Sequence, residues 1–80
     1  MNITVKLFAS LQMYAPDGQA AGELFPMELP ENSTLRDLVE RLGIPDREVK
    51  VMYVDGRARA EIFRLHEGAE AGIFPPVGGG

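Results

Sequence analysis

One short segment of the 80-residue chain has a helical pattern. The apolar residues that recur in it at spacings of three and four are Leu35, Leu38, Val39 and Leu42. Thr34 is placed to cap the amino end of a helix, and the carboxylate of Asp37 is favoured in the first turn. Gly43 and Pro45 stop the helix at its other end. The sequence therefore predicts one helix, Leu35 to Leu42, whose single apolar face must pack against a sheet.

The amino end of the chain has a strand pattern. Residues 2–8 alternate so that Ile3, Val5 and Leu7 share one face of a strand. Phe8 falls on the opposite face by the same count. The pattern predicts a half-buried strand that presents an aromatic ring on its outer side.

A second strand is predicted at residues 23–29, after a loop at residues 9–22 that contains an Ala-Pro-Asp-Gly turn sequence. Pro26 lies inside this strand and has no N–H to donate to a ladder. We therefore expect the second strand at an edge of the sheet, paired with the first as a hairpin.

Three more strands are predicted after the helix. Residues 49–54 and 57–60 flank Asp55-Gly56, a strong hairpin turn. A last strand is predicted at residues 70–74, where Gly72 lowers the strand propensity. The order ββαβββ predicts an α+β fold, a mixed sheet with one main helix packed on one face. We interpret it as a ubiquitin-like β-grasp, with the first and last strands side by side at the centre of the sheet.

Composition indicates an ordinary globular domain. The chain is 45% hydrophobic and 25% charged, a balance typical of folded proteins. Its net charge of −4 argues against nucleic acid as a partner, because binding to phosphate backbones needs clustered Lys and Arg. No apolar run has the length of a membrane span, and the start of the chain lacks the form of a signal peptide. We therefore expect a cytoplasmic protein that does not bind membranes.

The sequence contains no catalytic or metal-binding constellation. There is one histidine and no cysteine, which excludes disulfides, thiolate metal sites and a cysteine nucleophile. His66 is predicted to be an ordinary turn residue. The carboxylates predicted to form caps or solvated faces are Asp37, Glu40, Glu67 and Glu70. We expect no metal and no cofactor bound by this chain, so any chemistry must occur at Gly80.

The chain ends in a glycine run preceded by two prolines. Phe74-Pro75-Pro76-Val77 leads directly into Gly78-Gly79-Gly80. We predict a folded domain of residues 1–77 and a flexible tail of residues 78–80, because glycine loses most backbone entropy on ordering. Such a tail has no side chains to obstruct a narrow channel in a partner. It is suited to deliver the carboxylate of Gly80 to another protein's active site.

Two aromatic rings are predicted to share the exposed face of the sheet beside this tail. Strand alternation turns both Phe8 and Phe74 away from the helix. We interpret them as a docking patch, with Lys6, Arg57 and Arg59 as candidate rim residues. A local aromatic cluster that only packs on itself is the alternative.

Four segments together resemble the MoaD/ThiS family of sulfur carriers, and the resemblance covers the whole chain. They are the strand end Leu7-Phe8-Ala9, the helix start at residues 34–38, the turn at residues 65–70 and the sequence Ile-Phe-Pro-Pro-Val-Gly-Gly-Gly at residues 73–80. The double proline makes the chain more similar to the small subunit of molybdopterin synthase than to the carrier of the thiamine pathway.

This resemblance implies a sulfur carrier whose terminal carboxylate becomes a thiocarboxylate. It assigns Gly80 as the site of the acyl-adenylate and thiocarboxylate, and Gly79 as the residue that must thread a channel. The residues implied to bind partners are Phe8, Phe74, Pro75, Pro76, Val77 and Gly78. The implied partners are an E1-like adenylating enzyme that uses ATP and Mg²⁺, a persulfide sulfur donor and a protein like the large subunit of molybdopterin synthase.

Other functions are compatible with the same sequence. The sulfur product can instead be thiazole or cysteine. The chain can also be a ubiquitin-like modifier joined through Gly80 to lysines of target proteins, or a binding module with an inert tail.

Overall fold

The structure is a computed structural model that describes residues 1–16 and 23–76. The strands in these residues are β1 (Asn2–Leu7), β2 (Phe25–Glu28), β3 (Val51–Val54), β4 (Arg57–Arg59) and β5 (Glu70–Phe74). One α-helix, α1 (Leu35–Leu42), and two 3-10 helices, Ala9–Tyr14 and Asp46–Glu48, complete the described secondary structure. The predicted boundary after Val77 and the tail at residues 78–80 lie outside the described residues.

The strands form one five-stranded mixed sheet in the order β2-β1-β5-β3-β4. β1 and β5 are parallel and adjacent at its centre, and the other pairs are antiparallel. The order ββαβββ, the helix on one face and the central pair confirm the predicted ubiquitin-like β-grasp.

Local sequence explains where α1 begins and ends. The backbone N–H of Asp37 donates to Thr34 Oγ1 at 3.2 Å, and the N–H of Thr34 donates to the Asp37 carboxylate at 2.8 Å. This capping box satisfies two donors at the amino end that would otherwise lack partners. Gly43 takes a φ of +78°, a left-handed conformation that ends the helix.

The hydrophobic core lies between α1 and the inner face of the sheet. Leu35 and Leu38 of the helix are fully buried. Sheet residues of this core with at most 2% exposure are Ile3, Val5, Leu7, Phe25, Ala71 and Ile73. The alternation predicted for the first strand is confirmed.

The β2 edge matches its prediction. Pro26 lies opposite Thr4 in the ladder with β1, and among the described strands β2 pairs with β1 alone. β2 is shorter than predicted, because Glu23 and Leu24 precede the paired segment.

The predicted loop at residues 9–22 is wrong for its first part. Residues Ala9–Tyr14 form a 3-10 helix, and its Leu11 is fully buried. The segment closes the end of the core, so tertiary packing orders residues whose sequence has no regular period. A second short helix at Asp46–Glu48 delays the start of β3 to Val51. No helix in residues 1–16 and 23–76 is long and apolar enough to cross a membrane.

Candidate functional site

Phe8 and Phe74 stack on the outer face of the sheet. Their ring centroids lie 3.9 Å apart and their planes differ by 8°. Phe8 directly follows β1, Phe74 ends β5, and the parallel pairing of these strands brings the two rings level. The predicted shared outer face is confirmed, and both rings are half-buried.

Tyr53 completes the aromatic group. Its ring meets Phe74 edge to face, with centroids 5.5 Å apart and planes at 72°, a geometry that aromatic rings favour. Tyr53 was not predicted as a site residue. Strand alternation would have identified it, since Met52 and Val54 on either side are buried and Tyr53 is 36% exposed. We call Phe8, Tyr53 and Phe74 the aromatic patch.

Gly72 is the floor of the aromatic patch. A β-carbon at this position would lie 3.3 Å from Cε2 of Phe8, closer than ordinary van der Waals contact. The ring of Phe8 thus covers a strand position that has no side chain. The glycine that weakens the strand pattern in sequence is explained by this close approach.

A shallow groove of about 230 Å³ runs along the aromatic patch. Its lining residues are Lys6, Phe8, Tyr53, Gly56, Glu70, Ala71, Gly72 and Phe74. The ammonium of Lys6 lies 5.2 Å from the centroid of the Phe8 ring, a cation–π contact. An apolar floor with a cation along its wall and a carboxylate at one end suits contact with a protein surface.

Of the predicted rim residues, Lys6 lies beside the aromatic patch and the two arginines do not. Arg57 and Arg59 pair with Val54 and Met52, whose side chains are buried beneath the sheet. Residues directly opposite in an antiparallel pair share a face. Arg57 and Arg59 therefore lie on the helix-facing side, away from the aromatic patch, because β4 continues the inner alternation of β3.

The aromatic patch lies where the described chain ends. Phe8 N–H donates to Ile73 O at 3.2 Å, and Lys50 N–H donates to Phe74 O at 2.8 Å. These bonds hold β5 on both sides up to its last residue. Pro75 is half-buried and Pro76 exposed. The other predicted site residues, Val77, Gly78, Gly79 and Gly80, lie outside the described residues.

The opposite end of β5 contains an ion pair that sequence did not predict. His66 Nε2 lies 2.7 Å from Asp55 Oδ2, and its Nδ1 lies 2.9 Å from the carbonyl oxygen of Glu67. Asp55 also accepts a bond from the N–H of Glu70 at 3.0 Å. His66 is more than the ordinary turn residue predicted from sequence, because it joins the β3–β4 turn to the segment before β5.

These contacts shift both ionisation equilibria. The hydrogen bond to Asp55, followed by that to the Glu67 carbonyl, raises the pKa of His66 above its ordinary 6.5. The Glu70 N–H, followed by His66, lowers the pKa of Asp55 below 3.8. Both imidazole nitrogens face acceptors, so the protonated form fits this geometry best. In that form both nitrogens donate, and the pair links the β3–β4 turn to the segment before β5.

The described residues contain no converging metal ligands. Within residues 1–16 and 23–76, no three His, Asp or Glu side chains are grouped closely enough to hold an ion.

The chain is similar to a described protein family and to several solved structures. A family model described as Mut7-C ubiquitin matches residues 1–77. No curated protein sequence matches the chain. A solved structure described as molybdopterin converting factor subunit 1 from Pyrococcus furiosus is 27% identical, with a TM-score of 0.69 over 95% of this chain and 98% of that one.

Two more distant structures share the fold. SAMP1 from Haloferax volcanii is 23% identical, with a TM-score of 0.68 over the whole of both chains. A chain of the complex between subunits 1 and 2 of molybdopterin-converting factor from Helicobacter pylori is 19% identical, with a TM-score of 0.62 over the whole of both chains.

Proposed function

Because the chain belongs to the Mut7-C ubiquitin family and has a MoaD/ThiS-like ubiquitin fold, we propose that it is a sulfur carrier for molybdopterin synthesis. The carboxylate of Gly80 is adenylated, converted to a thiocarboxylate and used as a sulfur source for the molybdenum or tungsten cofactor. The P. furiosus structure, described as a molybdopterin converting factor subunit, supports this pathway among the alternatives.

One observation carries the proposal. The central strand β5 ends at Phe74 inside the aromatic patch, and hydrogen bonds from Phe8 and Lys50 fix that end on both sides. The residues after Phe74 thus start from a fixed point beside an apolar groove. A partner that docks on the groove receives the end of the chain at a defined place.

The chemistry requires activation by a partner. A carboxylate resists nucleophilic attack because its oxygen is a poor leaving group. Attack of the Gly80 carboxylate on the α-phosphate of ATP releases pyrophosphate and forms an acyl-adenylate, with Mg²⁺ neutralising the phosphates. A persulfide sulfur then attacks the carbonyl carbon and AMP leaves. Attack by a thiol of the donor protein on the resulting acyl disulfide releases the thiocarboxylate and forms a disulfide on the donor.

Three kinds of partner follow from these steps. An E1-like enzyme supplies ATP, Mg²⁺ and the adenylation site, a persulfide donor supplies the sulfur, and a protein like the large synthase subunit receives it. The H. pylori complex of subunits 1 and 2 supports the last of these partners. Ordering each tail residue in a channel costs about 1–2 kcal/mol of backbone entropy. Contact at the aromatic patch offsets that cost.

The proposal is tested by mass spectrometry of the last peptide. The full chain is incubated with an E1-like enzyme, ATP, Mg²⁺ and a persulfide donor, and we expect exchange of one terminal oxygen for sulfur. Omission of either ATP or the donor must prevent the exchange. One residue added after Gly80, or Gly79→Val, must also prevent it while the fold is retained. Normal sulfuration of the extended chain would rule out the terminal carboxylate as the acceptor.

A modifier function is the second candidate. The same acyl-adenylate can be passed to a lysine amine, and the fold is shared with SAMP1, a small archaeal modifier protein. ATP-dependent conjugates joined through Gly80, with no thiocarboxylate, would replace the carrier function by this one. Sulfur delivered to thiazole or cysteine would change only the product. An inert tail predicts no effect of any change at Gly80.

A further inference from the structure

The two edges of the sheet differ in what they offer to another strand. At the β2 edge Pro26 is exposed and has no N–H, which is a common device for preventing strand addition. At the β4 edge the residues are Arg57, Ala58 and Arg59, with no proline. The β4 edge is therefore open to pairing where the β2 edge is blocked.

Hydrogen bonding along β3 fixes which groups of β4 point outward. The N–H of Asp55 donates to the carbonyl oxygen of Glu70 in β5 at 2.9 Å. Because backbone groups alternate in direction along a strand, every second residue of β3 counted back from Asp55, beginning with Tyr53, also bonds toward β5. Val54 and Met52 then bond toward β4, to Arg57 and Arg59.

Ala58 and Tyr53 form the non-hydrogen-bonded pair between these two hydrogen-bonded pairs. The N–H and C=O of Ala58 point away from the sheet, and Ala58 is exposed.

The open edge has a positive charge in an acidic protein. Arg57 and Arg59 are exposed and form no ion pair with the described residues. The guanidinium of Arg59 lies 4.6 Å over the ring of Phe63, which restricts its position. Arg59 also lines a cavity of about 390 Å³ between the sheet and the helix, whose other charged residues are Arg36, Lys50, Asp46 and Glu61. The whole chain has a net charge of −4, so this edge is a local exception.

The positive charge of the β4 edge determines what kind of strand can pair with it. Pairing of β4 with β4 of a second copy would set arginines against arginines, and like charges directly opposite are destabilising. Pairing with β2 of a second copy meets Pro26. We propose that β4 binds an extended acidic segment of a partner protein as an added strand.

Geometry gives the segment a pattern of acidic, apolar and acidic residues. Acidic side chains two residues apart face the helix side of the sheet, where Arg57 and Arg59 lie. The apolar residue between them faces the outer side, beside Ala58 and the exposed ring of Tyr53. The backbone of the segment bonds with the N–H and C=O of Ala58.

This interaction does not depend on the proposed sulfur chemistry. β3 separates β4 from the central strand β5 that leads to Gly80. A segment paired with β4 contacts only Tyr53 of the aromatic patch, so Phe8 and Phe74 at the end of β5 stay available to a second protein.

NMR titration of the full ¹⁵N-labelled chain tests the proposal. The probe is acetyl-Gly-Asp-Val-Glu-Val-Asp-Gly-amide, and the control peptide has lysine at the three acidic positions. We expect the acidic peptide to shift the Ala58 amide signal and slow its hydrogen exchange, with weaker binding as salt is raised. The lysine peptide should not bind.

Three variants separate strand addition from simple charge attraction. Arg57→Glu combined with Arg59→Glu should weaken binding by about tenfold or more, because attraction becomes repulsion. Arg41→Glu on the helix changes charge elsewhere and should alter the affinity by less than about twofold, because screening limits the range of surface charge. Ala58→Pro removes the outward N–H while leaving the charges, and it should also abolish binding.

The outcomes decide the proposal only for variants with wild-type spectra outside β4. Absence of binding by the acidic peptide would overturn it, and Arg57 and Arg59 would then only protect the edge from aggregation. Binding that Ala58→Pro leaves intact would overturn strand addition in favour of surface charge attraction. Self-association through β4, detected by sedimentation, would assign the edge to a second copy.

Discussion

The two faces of β5 have different roles: one packs in the core and the other forms part of the aromatic patch. Ile73 faces the helix and is fully buried, whereas the adjacent Phe74 faces outward and is half-buried. Packing surrounds Ile73 in the core. Phe74 stacks on Phe8 and meets Tyr53 edge to face, and an open groove lies beside it.

This difference separates stability from recognition within one strand. A buried aliphatic residue contributes to folding through apolar area and close packing. A half-exposed aromatic ring retains area that only a partner can cover. The same alternation that builds the core therefore also presents the aromatic patch.

The largest effect should come from exchanging the two residues for alanine one at a time. Ile73→Ala should lower the free energy of unfolding by about 2–5 kcal/mol, because it leaves a cavity in the core. Phe74→Ala should lower it by less and should weaken binding of the adenylating enzyme by at least about 2 kcal/mol. Urea denaturation and calorimetric titration measure the two quantities.

Ile73→Ala is the matched control for Phe74→Ala. Its binding should be nearly unchanged at a temperature where the variant is folded. If Phe74→Ala chiefly lowers the free energy of unfolding and leaves binding intact, the outer ring is a core residue and the comparison between faces fails.

A smaller change in stability is expected from substitution of Gly72, where the outer face of the sheet is closely packed against the ring of Phe8. Gly72→Val should destabilise the fold by about 1–3 kcal/mol, because the added side chain displaces the ring of Phe8. The same substitution in a Phe8→Ala background should cost less, or stabilise the strand. An equal cost in both backgrounds, measured by urea denaturation, would show that Phe8 is not the obstacle.

The smallest effect concerns the pair at the far end of β5. The raised pKa of His66 means that its stabilisation is complete below about pH 6.5 and is lost as pH rises through the folded pKa. The lowered pKa of Asp55 means that its stabilisation is complete above about pH 3.8 and is lost as pH falls through the folded pKa. The pair therefore stabilises the fold most between those two values.

Melting temperatures across this pH range check the contribution. His66→Gln should remove the loss of stability that occurs as pH rises through the pKa of folded His66. Asp55→Asn is the matched change at the other partner, since Asn tolerates the φ of +52° at this position. Both partners are largely exposed, so the effect is small. An unchanged pH profile in His66→Gln would mean that the pair contributes no stability.

Local sequence determined the helix and the two faces of β1 and β5. The capping residues Thr34 and Gly43 act on the backbone next to them, so α1 was predicted with its observed bounds. Strand alternation likewise fixes the outward direction of Phe8 and Phe74 without reference to strand pairing. Pro26 predicts an edge position for β2, because proline lacks a backbone N–H wherever the strand lies.

Tertiary structure alone decided which distant residues meet. The fit of Phe8 over Gly72, the pair of His66 with Asp55 and the burial of Leu11 depend on how separate segments pack together. The pairing of β4 with β3 likewise turned Arg57 and Arg59 away from the aromatic patch. Sequence periodicity reports the direction of a side chain within its own segment. The contact between two segments is set by strand register and packing, because a shift of one residue moves every side chain to the other face.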